Sequence, residues 1–240
     1  MGFHTSRQAE TSPSMLIIAT VKTNGTGSAV KSIAGADAIL LRAGEPGLTA
    51  LNLQKIVKPL KDIPWGVYFD ESGDAAAKLV ESGCDFLVFS PASPISAVPQ
   101  DEKTGKILQV ESSMDDGLLR AVNDLPVDAV LITDTSAESG ALVWHQLMIF
   151  RHLTTFISKP LLVPAPATIS EVELKALWDA GIDGVVIDAT GVGDLKELRQ
   201  IAGKLPPRSA PKRGKMDVML PQAGGKAHTA PPPDEEEEDE

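Results

Sequence analysis

Short apolar runs rich in β-branched residues recur along the chain, and the stretches between them carry apolar positions at three- and four-residue spacing. The runs predict strands over residues 15–21, 36–42, 65–70, 85–90, 106–112, 129–134, 160–165 and 184–189. The intervening stretches 48–62, 73–83, 115–126, 142–157, 170–181 and 193–205 are compatible with helices. Strands apolar on both faces that alternate with helices imply a parallel sheet covered on both sides. The weak link is 91–105, where the internal prolines Pro94 and Pro99 leave room for a short helix at most and an irregular segment is expected.

A repeat sharpens the count. GADAILL at 35, GCDFLVF at 83, PVDAVLI at 126 and GIDGVVI at 181 share a turn residue, a spacer, an aspartate and an apolar run. They fall on the second, fourth, sixth and eighth strands. A fourfold βαβα unit with eight strands closes most naturally into a (β/α)₈ barrel, with an open doubly wound sheet as the alternative.

The repeat also assigns faces. Counting from each aspartate, the second and fourth positions are Ile39 and Leu41, Leu87 and Phe89, Val130 and Ile132, Val185 and Ile187. All are bulky and apolar, as residues packed under helices should be. The first, third and fifth positions run from small to polar: Ala38, Leu40, Arg42; Phe86, Val88, Ser90; Ala129, Leu131, Thr133; Gly184, Val186, Asp188. These fit a barrel interior, and they put Arg42, Ser90, Thr133 and Asp188 around its mouth.

Barrel active sites lie at the carboxyl ends of the strands, whereas the amino ends support the fold. Asp37, Asp85, Asp128 and Asp183 precede their strands and are therefore expected to cap the helix-to-strand turns. On the odd strands Lys22 follows Thr20, Asp70 follows Tyr68 and Glu111 follows Gln109, each pair two residues apart and so on one face. The predicted catalytic set is Lys22, Asp70, Glu111 and Asp188. Substrate contacts are expected from Arg42, Tyr68, Ser90, Gln109 and Thr133. Lys22 is a candidate Schiff-base lysine, while the three carboxylates offer proton transfer or oxygen ligands for Mg²⁺. The plain alternative is an ion-paired rim that only compensates its own charges.

Composition narrows the classes. The chain has 240 residues, 42% hydrophobic, and a formal net charge of −11, but seven negative charges sit in DEEEEDE at 234–240 and leave about −4 for the rest. No basic stripe with interleaved aromatics appears, so nucleic acid is not the expected partner. A single cysteine, Cys84, suits a reducing compartment, and neither a signal-like segment nor a membrane-length apolar run is present, which makes the cytoplasm the expected location. Cys84 is read as a small buried residue. His145 and His152, seven apart on one helix and so about 10.5 Å apart along its axis, do not share a metal.

The organisation expected is an extension over 1–14, the barrel over 15–205, and a disordered tail over 206–240 that is first basic and proline-rich, then acidic. Segment 142–157 is apolar around more of its circumference than one buried stripe needs, and a homodimer through it is expected.

The stretches KPLLVPAPATISEVELKALWDAGIDGVVIDATG (159–191) and DAAAKLVESGCDFLVFS (74–90) resemble the broad superfamily of (β/α)₈ barrels that bind phosphorylated ligands or flavin mononucleotide. The likeness is one of architecture and cadence over about residues 15–205, without a family-specific signature. It implies a phosphate in the turns after strands seven and eight, where Gly191 and Gly193 are available. The chain departs from this pattern at PAPATIS (164–170), whose two prolines donate no N–H, and at Asp194, placed to cap the following helix and occupy its amides. Three functions follow in order: a lyase or isomerase acting on an anionic carbonyl-containing metabolite, a flavin-dependent oxidoreductase, and a non-catalytic barrel acting as an interaction protein.

Overall fold

A computed structural model of the chain describes residues 15–22, 33–42, 63–69, 79–101, 103–133, 141–189 and 195–206. The helix expected at 48–62, most of that at 73–83, the amino-terminal extension and the tail from 207 onward lie outside them.

Eight parallel strands close into a barrel in sequence order. They are β1 (Leu16–Lys22), β2 (Ala38–Arg42), β3 (Trp65–Phe69), β4 (Phe86–Phe89), β5 (Gly105–Glu111), β6 (Ala129–Thr133), β7 (Leu161–Ala165) and β8 (Gly184–Asp188). β8 pairs with β1, Leu16 opposite Gly184 and Thr20 opposite Asp188, and that last ladder removes both sheet edges. Four described α-helices cover the wall: α1 (Asp116–Ala121), α2 (Trp144–Phe156), α3 (Glu171–Ala180) and α4 (Lys196–Gly203). Residues 91–101 and 103–104 are irregular, as the prolines dictate, with one 3₁₀ turn at Ile95–Ala97.

The two faces of each strand separate as the alternation predicts. Ile39, Leu41, Leu87, Val130, Ile132, Val185 and Ile187 belong to the large cluster between strands and helices, with Phe89 packed against it. Ile18, Leu40, Val88, Ile107, Leu131, Leu162 and Val186 form a second cluster inside the barrel, with Ala38, Tyr68, Phe86 and Ala129 against it. Phe86 fills the lower interior because Gly66 opposite it has no side chain; a Cβ there would lie 2.3 Å from the ring.

The side chains of the repeated aspartates, expected to cap their own turns, reach across to the neighbouring strand. Asp37 Oδ2 accepts the N–H of Ile17, Asp85 Oδ2 that of Trp65, Asp128 Oδ2 that of Lys106 and Asp183 Oδ2 that of Leu161, all at 2.8–2.9 Å. In each case the aspartate's own N–H donates to the carbonyl of the same residue. Every even strand thus brackets the start of the odd strand before it. In three repeats the residue two places earlier is a glycine with positive φ, 103° at Gly35, 87° at Gly83 and 106° at Gly181. Gly181 ends α3 in the left-handed conformation, which turns the chain so that Asp183 meets Leu161. At the β1/β2 floor Arg199 of α4 adds a third contact, Nη1 to Asp37 Oδ2 at 3.0 Å and to the Met15 carbonyl at 3.2 Å.

Candidate functional site

The carboxyl ends of the strands gather the polar residues that the alternation placed there. Leu40, Val88, Leu131 and Val186 line the interior, so Arg42, Ser90, Thr133 and Asp188, two residues further on, lie on the same face at the mouth. Ile107 does the same for Gln109 and Glu111 on β5. Asp70, Gly191 and Gly193 lie outside the described residues.

On one side of the mouth two cations stand on adjacent strands, Lys22 and Arg42 being Cα partners in the β1/β2 ladder. The Arg42 guanidinium carbon sits 4.5 Å from the centroid of the Tyr68 ring. Tyr68 is half-buried in the interior, so its ring gives the guanidinium a fixed apolar floor, a favourable cation–π arrangement. Among the described residues no carboxylate pairs with Arg42. Lys22 Nζ lies 3.8 Å from Asp188 Oδ2 across the β1/β8 seam, with 57% and 53% of the two side chains exposed. That separation and exposure make it a loose, solvent-screened pair.

The remaining mouth residues divide. Ser90 Oγ accepts the Ala92 N–H at 3.2 Å, and Thr133 Oγ1 donates to the Val110 carbonyl at 3.4 Å, so both hydroxyls are engaged with nearby backbone. Glu111 stands exposed at the end of β5 beside Thr133 in register. Gln109 is half-buried on the interior face, and its side chain has no hydrogen-bond partner among the described residues.

The β7 side of the mouth is built differently. Pro164 ends the interior row on β7 and Pro166 follows it; neither has an N–H. The first turn of α3 is closed by a reciprocal cap, with Glu173 N–H donating to Ser170 Oγ at 3.3 Å and Ser170 N–H and Oγ–H donating to Glu173 Oε2 at 2.8 and 2.6 Å. Glu173 Oε1 also accepts the Leu142 N–H at 2.7 Å, tying α3 to the start of α2. The Ser170 hydroxyl and the two backbone amides hold the Glu173 carboxyl below the usual carboxylate range. Glu171 adds a second negative charge to that turn. The described part of the cup implied for a phosphate therefore has two prolines without an N–H and an acidic helix start, which fits a phosphate poorly. After β8, the next helix begins at Lys196 with Leu195 as its cap residue, one position later than an Asp194 cap would require; Asp194 itself lies outside the described residues.

Residues away from the mouth are used structurally. Burial pushes the Cys84 thiol up to about 12, and its Sγ–H donates to the Phe86 carbonyl at 3.1 Å. His152 Nε2 lies 3.0 Å from Asp116 Oδ1, joining α2 to α1. Among the described residues no three His, Cys, Asp or Glu side chains are grouped to hold a metal ion. No described helix is long and apolar enough to cross a membrane.

Comparison with solved structures places this architecture. A mutant tryptophan synthase α-subunit from the hyperthermophile Pyrococcus furiosus superposes with a TM-score of 0.60 at 14% identity, over 79% of this chain and 93% of that one. The thiamine phosphate pyrophosphorylase of Pyrococcus furiosus gives 0.57 at 15%, over 79% and 96%. Tryptophan synthase of Mycobacterium tuberculosis gives 0.58 at 16%, over 80% and 91%. The chain is a (β/α)₈ barrel. At these identities the likeness concerns the fold alone. No protein-family model matches the sequence. No curated protein matches it either.

Proposed function

We propose that this barrel is a small-molecule enzyme of lyase or isomerase type, acting at its mouth on an anionic metabolite that contains a carbonyl group. The observation that carries the reading is the convergence of Arg42, Lys22, Asp188 and Glu111 on the carboxyl ends of β2, β1, β8 and β5, the end where barrels of this kind do their chemistry. Arg42, stacked on Tyr68, anchors the anion. A carboxylate moves a proton at the carbon beside the carbonyl, with Glu111 and Asp188 as the described candidates and Asp70 as a third. Lys22, beside Asp188, supplies positive charge to the developing oxyanion; its pairing with a carboxylate favours that role over a Schiff-base nucleophile. The mouth is the place of the small-molecule partner in this reading, and neither a metal nor a flavin is assigned to it.

The test is proton exchange in D₂O. Incubating the protein with a panel of 2-oxo acids and ketose phosphates and following deuterium entry beside the carbonyl by NMR should reveal at least one substrate. Glu111→Gln or Asp188→Asn should suppress that exchange about a hundredfold or more while the melting temperature holds. If no compound exchanges and mass spectrometry of gently purified protein finds no co-purifying metabolite, the enzymatic reading fails and a non-catalytic barrel takes its place.

A further inference from the structure

We propose that the anion site of the mouth lies on β1 and β2, separated by β8 from the turn that follows β7, and that it recognises a carboxylate rather than a phosphate. The inference rests on the mouth being the ligand site and adds the chemical class of the ligand and the place where it binds.

Three observations converge. First, the β7 side is unfavourable to anions: Pro164 and Pro166 offer no N–H, the Ser170–Glu173 box engages the Ser170 and Glu173 amides, and Glu171 and Glu173 make the turn negative. Second, the described cations at the mouth, Lys22 and Arg42, are neighbours in register, which puts their strands about 4.8 Å apart. Third, Arg42 is not a freely moving arginine. Its guanidinium lies over Tyr68, 4.5 Å from the centroid, and a guanidinium held by a ring presents a fork of N–H groups at its edge.

The charges and geometry then select the ligand. A planar fork matches the two oxygens of a carboxylate in parallel N–H···O bonds. The described rim sets two cations, Lys22 and Arg42, against two carboxylates, Asp188 and Glu111, and Lys22 already stands beside Asp188, a balance that suits a monoanion better than a dianion. A phosphate monoester brings close to two negative charges and ordinarily leans on several backbone amides at a helix start, whereas the start of α3 carries Glu171 and Glu173. Asp188, on the far side of Lys22, would meet the part of the ligand beyond its carboxylate. That part therefore presents a hydrogen-bond donor or an acidic C–H.

Isothermal titration of the full chain distinguishes the outcomes, with pyruvate and 2-oxobutanoate as the carboxylate probes and inorganic phosphate and glycerol 3-phosphate as the phosphate probes. The expected result is saturable binding of the oxo acids that Arg42→Lys weakens about tenfold, because lysine keeps the charge and loses the fork. Tyr68→Phe should retain affinity within about twofold, and Tyr68→Leu should lose it about as much as Arg42→Lys, since only the ring face is required. Circular dichroism of each variant separates lost binding from lost fold. Tighter binding of the phosphate probes would overturn the carboxylate assignment and leave the mouth as a ligand site. Oxo-acid binding indifferent to Arg42→Lys would overturn the β1/β2 location. Failure of both probe classes to bind would overturn the inference; whether the enzymatic reading falls with it is decided separately by the exchange assay.

Discussion

Asp183 and Leu161 hold each other at two points: the Asp183 Oδ2 accepts the Leu161 N–H at 2.8 Å, and the Asp183 N–H donates to the Leu161 carbonyl at 2.8 Å. The pair sits at the amino end of the β7/β8 ladder and is reproduced by Asp37 with Ile17, Asp85 with Trp65 and Asp128 with Lys106. Removing the carboxylate leaves a strand-start N–H without its partner. Asp183→Ala should therefore destabilise the fold by about 1–3 kcal/mol, read from urea denaturation. Asp128→Ala should cost less, because the Asp128–Lys106 bond is open to water and the freed N–H can be solvated. Equal and negligible losses at both positions would show that the brackets do not contribute.

Two glycines should respond in opposite directions to alanine. At Gly66 a Cβ would lie 2.3 Å from the Phe86 ring and 2.4 Å from its backbone oxygen, so Gly66→Ala forces the β3/β4 wall apart and should cost about 1–3 kcal/mol. At Gly203, the last residue of α4, nothing stands within 4 Å of the new methyl group. Gly203→Ala should leave stability unchanged or raise it by up to about 1 kcal/mol through better helix propensity. Thermal melts of the two variants side by side settle the contrast.

The Ser170–Glu173 cap makes a pH prediction. The folded-state pKa of Glu173 is depressed, so its contribution is complete above the ordinary glutamate value of the unfolded chain and is lost as pH falls through the depressed folded value. Ser170→Ala should cost about 1 kcal/mol at neutral pH. Much of that difference from the parent should vanish in acid, because the parent loses the charged half of its cap there too. A Ser170→Ala difference that stays constant from neutral pH into the acid range would contradict the assignment.

Self-association through α2 is the proposed quaternary arrangement. Trp144 is 83% exposed and Met148 69%, with Val143 beside them, while Phe150 and Leu153 on the opposite face are buried against the barrel. Covering that patch requires a partner surface, and a second copy is the proposed one. Sedimentation velocity of the full chain should show a dimer. Trp144→Glu with Met148→Glu should return it to the monomer without lowering the melting temperature of the barrel. A parent that sediments as a monomer at tens of micromolar removes this proposal.

Strand positions and faces were legible before any coordinates. A strand alternates with period two whatever it pairs with, so the apolar and polar positions of Leu40 and Arg42, or of Ile107 and Glu111, are written into local order. The repeated aspartate was equally legible, because it recurs two residues after a turn residue in all four units. Its partner was not. Asp183 reaches a residue 22 positions away, and nothing in the repeat names Leu161 until the register of β7 against β8 is set.

The same limit governs the candidate site. Sequence alone placed Arg42, Tyr68, Lys22 and Asp188 at the mouth and left their mutual contacts open. Stacking of Arg42 on Tyr68 depends on β2 and β3 being neighbours, and the Lys22–Asp188 approach depends on β8 returning to β1. The bond from the Leu142 N–H to Glu173 exists only because α2 and α3 pack side by side. The sequence by itself determined the alternation, the number of strands and the face each residue takes, since periodicity is a property of consecutive residues. The tertiary structure decided which charges meet and which amides are already occupied, since those depend on ring closure bringing together residues far apart in the chain, 166 positions in the case of Lys22 and Asp188.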